Sequence, residues 1–66
     1  SKALIKLRGE LIRLYRMQQQ LAESVQSESE RTLTDQLLTE MEQISRQAHE
    51  AVGFTYMPLA EQAALQ

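Results

Sequence analysis

The sequence predicts an all-α protein: an antiparallel, coiled-coil-like two-helix hairpin with a short C-terminal helical segment, assembling into a four-helix bundle. Three observations predict this fold. The 66 residues include only two glycines and one proline, so residues that end helices are scarce. Apolar side chains recur at spacings of three and four in two stretches, which is the spacing of one helix face. A polar stretch separates them. We therefore expect one helical hairpin domain over residues 1–66.

The first helix is expected over about residues 2–26. Its apolar side chains follow a heptad pattern, which we call seam 1. Seam 1 consists of Leu4, Leu7, Leu11, Leu14, Leu21 and Val25. Gln18 fills its one gap, either as a buried amide that sets register or with its stem packed and its amide at the surface. Gly9 costs about 1 kcal/mol against alanine, which a helix of this length tolerates.

A chain reversal is expected over about residues 27–32, because residues 26–32 offer no side chain to bury. Thr32 and Asp35 resemble a capping box, so the second helix is expected over about residues 33–52. Its apolar line, seam 2, consists of Leu33, Leu37, Met41, Ile44, Ala48 and Ala51. One uninterrupted helix over residues 2–52 is the alternative, but it would place Glu28, Thr32 and Asp35 in the core.

The C-terminal segment, residues 53–66, should begin with a helix stop and end in a short helix. Gly53 suits the left-handed position that closes a Schellman motif, with Phe54 folding back onto the last turn. Pro58 suits the first position of a helix, and Leu59 and Ala63, four residues apart, would share one side of it.

Composition excludes several classes of protein. A core this small usually needs disulfides, a metal or oligomerisation, and the absence of cysteine excludes disulfides and thiolate zinc sites. One histidine cannot form a histidine-rich metal site, so no metal or cofactor is expected. No apolar run approaches the roughly 20 residues that cross a bilayer, and no secretory signal is visible. The expected location is the cytoplasm.

Charge divides between the two halves of the chain. Residues 1–22 carry five basic residues against one acidic, net +4, and residues 23–52 carry two against seven, net −5. The simplest interpretation is attraction between the two helices, which biases their pairing more than it stabilises them. The alternative is contact with an anionic partner, nucleic acid or a membrane, through the basic face of helix 1. That face consists of Lys2, Lys6, Arg8, Arg13 and Arg16. The total of −2 favours neither partner.

No catalytic constellation is visible, so no enzyme activity and no small-molecule substrate are expected. His49 and Glu50 are the only adjacent base and acid, and neighbouring positions on a helix do not face each other.

The chain carries more apolar residues than one helical hairpin covers, and this excess predicts an interface. The candidate partner-binding residues are Ile5, Ile12, Tyr15, Leu38, Val52, Phe54, Tyr56, Met57 and Leu59. Each could instead complete an intramolecular core. The leading hypothesis is a non-catalytic protein–protein interaction module, an adaptor, small chaperone or regulatory subunit, that forms a homodimer. The alternatives are a small nucleic-acid-associated regulator that uses the basic face, or a helical fragment or subunit of a larger assembly.

Overall fold

The computed structural model describes residues 2–66, and every regular element in that range is helical. The three helices are α1 (Lys2–Glu23), α2 (Glu28–Ala51) and α3 (Leu59–Ala64). α1 and α2 pack side by side, and α3 packs against both. The molecule is 40 Å long, close to the roughly 36 Å of α2 alone at 1.5 Å per residue. The all-α class is therefore confirmed, and the alternative of one uninterrupted helix is wrong.

The connection between α1 and α2 covers residues 24–27, which is shorter than the reversal predicted over about residues 27–32. α2 begins at Glu28 because Ser27 caps it, accepting a hydrogen bond from the Glu30 amide at 3.4 Å. Glu28 and Glu30 in the first turn suit the positive end of the helix dipole. The predicted cap, Thr32, lies inside the helix and donates its hydroxyl to the Glu28 carbonyl. Residues 28–32 were expected in the reversal because none of their side chains is apolar, but they form the exposed first turn of α2, where polar residues are accommodated.

The end of α2 confirms the predicted Schellman motif. Gly53 has a φ of +76°, the left-handed conformation that favours glycine. Its amide donates to the Glu50 carbonyl at 3.1 Å, and the Phe54 amide donates to the His49 carbonyl at 2.9 Å. Phe54 itself is about half exposed.

The short helix α3 starts directly after Pro58, which stands at the cap position rather than at the first helical position. Pro58 supplies no capping side chain, and the Glu42 carboxylate from α2 takes that role. Glu42 Oε1 accepts the Leu59 amide at 2.7 Å, and Oε2 accepts the Ala60 amide at 2.9 Å. Leu59 and Ala63 are both buried, as their spacing predicts.

The core lies where the three helices meet, and it does not follow the predicted seams. Its centre is Leu11, Tyr15, Leu59 and Ala63, with Ile12, Leu38 and Met41 packed against it. α1 contacts α2 and α3, and α2 contacts α1 and α3. Each long helix therefore buries the side chains that face its two neighbouring helices. Along each seam, buried or half-buried residues are interspersed with exposed ones. The large seam residues that stay exposed are Leu7, Leu14, Leu21, Leu33, Leu37 and Ile44.

Candidate protein-binding groove

An apolar groove follows the junction of α1 and α2, and no residue of α3 lines it. Its volume is about 450 Å³. Eight side chains line it: Leu11, Leu14, Met17, Gln18, Leu21, Leu37, Met41 and Ile44. We call this the seam groove, because all of its lining residues except Met17 occupy seam positions. The lining is thus mostly apolar, with Gln18 as its one polar residue.

The groove leaves large aliphatic side chains in contact with solvent. The exposed fractions are 43% for Leu14, 58% for Leu21, 48% for Leu37 and 50% for Ile44. Isolated exposed leucines are ordinary, but these four line one continuous depression.

Charged side chains flank the groove on both edges. On α1, Arg13 Nη1 lies 3.6 Å from the sulfur of Met17, and Arg13 Nη2 pairs with Glu10 at 2.8 Å. On α2, exposed Glu40 is three residues after Leu37 and four before Ile44, which makes it a surface neighbour of both. The α1 edge therefore carries the ion pair of Arg13 and Glu10, and the α2 edge carries the carboxylate of Glu40.

The nine candidate partner-binding residues occupy three environments, and none lines the seam groove. Tyr15 and Leu59 are buried in the core, and Ile12 and Leu38 are half-buried against it. Half-buried Tyr56 contacts Glu42. The exposed members are Ile5, Val52, Phe54 and Met57. Whether any of the nine contacts a partner stays a prediction.

Sequence reasoning missed the groove because it assigned the seam residues to the contact between the two helices. A signal was present in the sequence itself. The C-terminal pair Leu59 and Ala63 predicts an apolar side for α3, and docking that side on the hairpin removes part of each seam from the helix–helix contact.

Two of the five residues of the basic face form contacts within the molecule. Arg8 Nε donates to Gln62 Oε1 at 3.3 Å, and Arg13 pairs with Glu10. Lys2, Lys6 and Arg16 are exposed. Contact of this face with an anionic partner stays a prediction.

A polar cluster surrounds Glu42 and holds the C-terminal segment. The Tyr56 hydroxyl donates to the Glu42 carboxylate, and the Arg46 guanidinium lies 5.3 Å from the centre of the Tyr56 ring. The His49 ring meets the Tyr56 ring edge-on at 5.5 Å. The cluster therefore ties three side chains of α2 to the segment that leads into α3.

The electrostatics of this cluster agree with a structural role. Burial alone would raise the pKa of Glu42, but hydrogen bonds from Tyr56, Ala60 and Leu59 and the charge of Arg46 outweigh it, so this pKa lies below its ordinary value. Burial, followed by donation to Glu42, raises the pKa of Tyr56. Glu42 is thus held as a carboxylate and Tyr56 as a neutral phenol, which is the pairing that attaches the segment.

Two polar residues of α2, Ser45 and His49, are buried. His49 Nδ1 lies 2.6 Å from the carbonyl oxygen of Ser45 on its own helix, and the buried Ser45 hydroxyl has no hydrogen-bond partner among the described residues. Among residues 2–66, no group of three or more histidine, aspartate or glutamate side chains is placed to hold a metal ion. In the same range, no helix combines the length and apolarity needed to cross a membrane.

Comparison of the chain with protein-family models, with curated proteins and with solved structures finds no match.

Proposed function

We propose that this chain is a non-catalytic protein–protein interaction module and that the seam groove is its binding surface. The observation that carries the proposal is the set of four half-exposed aliphatic residues in one groove: Leu14, Leu21, Leu37 and Ile44. An adaptor, a small chaperone and a regulatory subunit all need such a surface. A cytoplasmic location stays a prediction from the sequence.

The proposed arrangement of α1 and α2 is antiparallel. Only residues 24–27 connect them, and four extended residues span at most about 14 Å. A parallel pair would require a connection along the whole of α1, about 33 Å for 22 residues. The length of the connection supports the antiparallel hairpin.

The proposed partner is a second copy of the chain, packed groove to groove as a four-helix bundle. In such a bundle Leu14, Leu21, Leu37 and Ile44 of both copies would form a shared core. A long face of the molecule measures 40 Å by 16 to 20 Å, or 640 to 800 Å². Each partner buries about 800 Å² in a standard protein–protein interface, so the outline of this face is comparable in size to one.

Gln18 would enter this interface, because it lies half-buried among the apolar lining residues. A buried amide must find a hydrogen-bond partner, which lowers stability but favours one register over others. Its position supports the interpretation of Gln18 as a residue that sets register.

Two isoleucines provide a matched test of the groove. Ile44 is 50% exposed inside the groove, and Ile5 is 66% exposed outside it. Sedimentation equilibrium should give wild type and Ile5→Gln a mass of twice 7.6 kDa and Ile44→Gln a mass of one chain. Far-ultraviolet circular dichroism should show that both variants remain helical. A wild-type monomer at several hundred micromolar, or equal loss of the dimer in both variants, would refute the proposal.

A further inference from the structure

We infer that the two copies pair about an axis parallel to their helices, so that α1 of each copy lies on α2 of the other. This inference rests on the proposed self-association and adds the orientation of the partner. Two-fold pairing through the groove has two solutions. One places α1 on the partner's α2 with both reversals at the same end. The other places α1 on α1 and α2 on α2, with the reversals at opposite ends.

The charges of the two helices distinguish these solutions. α1 carries five basic and two acidic residues, net +3, and α2 carries two basic and six acidic residues, net −4. Packing α1 on α1 would bring two positive helices together and leave two negative helices in contact. Packing α1 on α2 places opposite charges together on both sides of the bundle. Charge complementarity of this kind selects orientation and excludes the wrong pairing.

The edges of the groove supply a specific pair of side chains for this contact. Arg13 is on the α1 edge, where it touches Met17, and its side chain is 58% exposed. Glu40 is exposed on the α2 edge beside Leu37 and Ile44. In the inferred orientation each Arg13 faces the edge that carries the partner's Glu40, and the symmetry produces this contact twice. In the other orientation Arg13 faces the partner's α1 edge, which carries the partner's own pair of Arg13 and Glu10 and not Glu40.

A charge exchange between these two positions tests the inference. Arg13→Glu alone gives two repulsive contacts per dimer, and Glu40→Arg alone does the same, so each variant should dimerise about tenfold more weakly than wild type. An equimolar mixture of the two variants should recover the wild-type dissociation constant, because every contact in the mixed dimer again joins opposite charges. Sedimentation equilibrium of each variant and of the mixture measures this. Recovery in the mixture also shows that both variants fold.

A distance measurement tests the orientation independently of charge. The chain has no cysteine, so Gln26→Cys places one spin label in the exposed reversal of each copy. Double electron–electron resonance on the dimer should give a separation of about 10 to 25 Å, since packed helices lie about 10 Å apart. A separation near the 40 Å length of the molecule, or single charge variants that dimerise as tightly as wild type, would overturn the orientation while leaving self-association intact. A wild-type monomer would instead overturn the proposed self-association, and the orientation with it.

Discussion

Replacing Glu42 should detach α3 from the helix pair, because this one carboxylate caps α3 and binds Tyr56. Oε1 accepts from the Leu59 amide and the Tyr56 hydroxyl, and Oε2 accepts from the Ala60 amide. In Glu42→Gln the amide oxygen can still accept the first two donors. The amide nitrogen then faces the Ala60 N–H, and because both groups are donors they cannot form a hydrogen bond. The variant thus loses one hydrogen bond and the charge that strengthens the other two.

The expected loss in unfolding free energy is about 1 to 2 kcal/mol. A hydrogen bond to a charged group contributes about 1.5 to 3 kcal/mol when buried, and Glu42 is only half-buried, which reduces the effect. Urea unfolding followed by circular dichroism at one fixed protein concentration measures the loss, since self-association would make stability depend on concentration. Glu50→Gln is the control, because Glu50 is an exposed carboxylate on the same helix. It should change stability by less than about 0.5 kcal/mol.

The pH dependence of this difference tests the same contact. The pKa of Glu42 is lowered in the folded protein, so its contribution is present above the ordinary value of 4.5 and is lost as the pH falls through the folded value. The stability difference between wild type and Glu42→Gln should therefore be constant near neutral pH and shrink below about pH 4.5. A difference under 0.5 kcal/mol at pH 7, or one that is undiminished in acid, would show that Glu42 does not hold α3.

Three further substitutions should change stability. Ser45 is 1% exposed and its hydroxyl has no hydrogen-bond partner within residues 2–66. Ser45→Ala should therefore raise the unfolding free energy by about 1 kcal/mol in urea unfolding, and a loss of stability would mean that the hydroxyl is bonded. The two glycines should respond with opposite signs. Gly9→Ala lies in α1 with open space around the new methyl group and should stabilise by about 0.5 to 1 kcal/mol, whereas Gly53→Ala must adopt a positive φ and should destabilise by about 1 kcal/mol. Equal signs for the two substitutions would contradict this reasoning.

The ends of the helices could be predicted wherever one local contact decides them. Gly53 terminates α2 as expected, because only a residue tolerant of positive φ fits there and the hydrogen bonds that complete the motif lie within five residues. The start of α2 could not be predicted as well, since Ser27 and Thr32 are both suitable caps. The residues next to Ser27 and Thr32 do not show which of the two caps α2, and in the structure the cap is Ser27, the earlier one.

The candidate site was not predicted from the sequence: the residues that line the groove were expected to pack between the two helices, and none of the nine predicted partner-binding residues lies in it. The seam leucines and isoleucine are readily found from their spacing, and they line the groove instead of closing the contact between α1 and α2. The polar contact that attaches α3 could not be predicted from the sequence. Nothing near Glu42 in the sequence distinguishes it from the other glutamates, because the amides that donate to it belong to Leu59 and Ala60, 17 and 18 residues later.

The sequence by itself determined two long helices, each with an apolar stripe, because helix periodicity depends on residues three and four positions apart. Only the tertiary structure decided which part of each stripe is buried. That choice depends on where α3 packs, and α3 is positioned by contacts distant in the chain, Glu42 with its first turn and Leu59 with Tyr15 in the core. The remaining part of each stripe, Leu14 and Leu21 on α1 and Leu37 and Ile44 on α2, stays available at the surface.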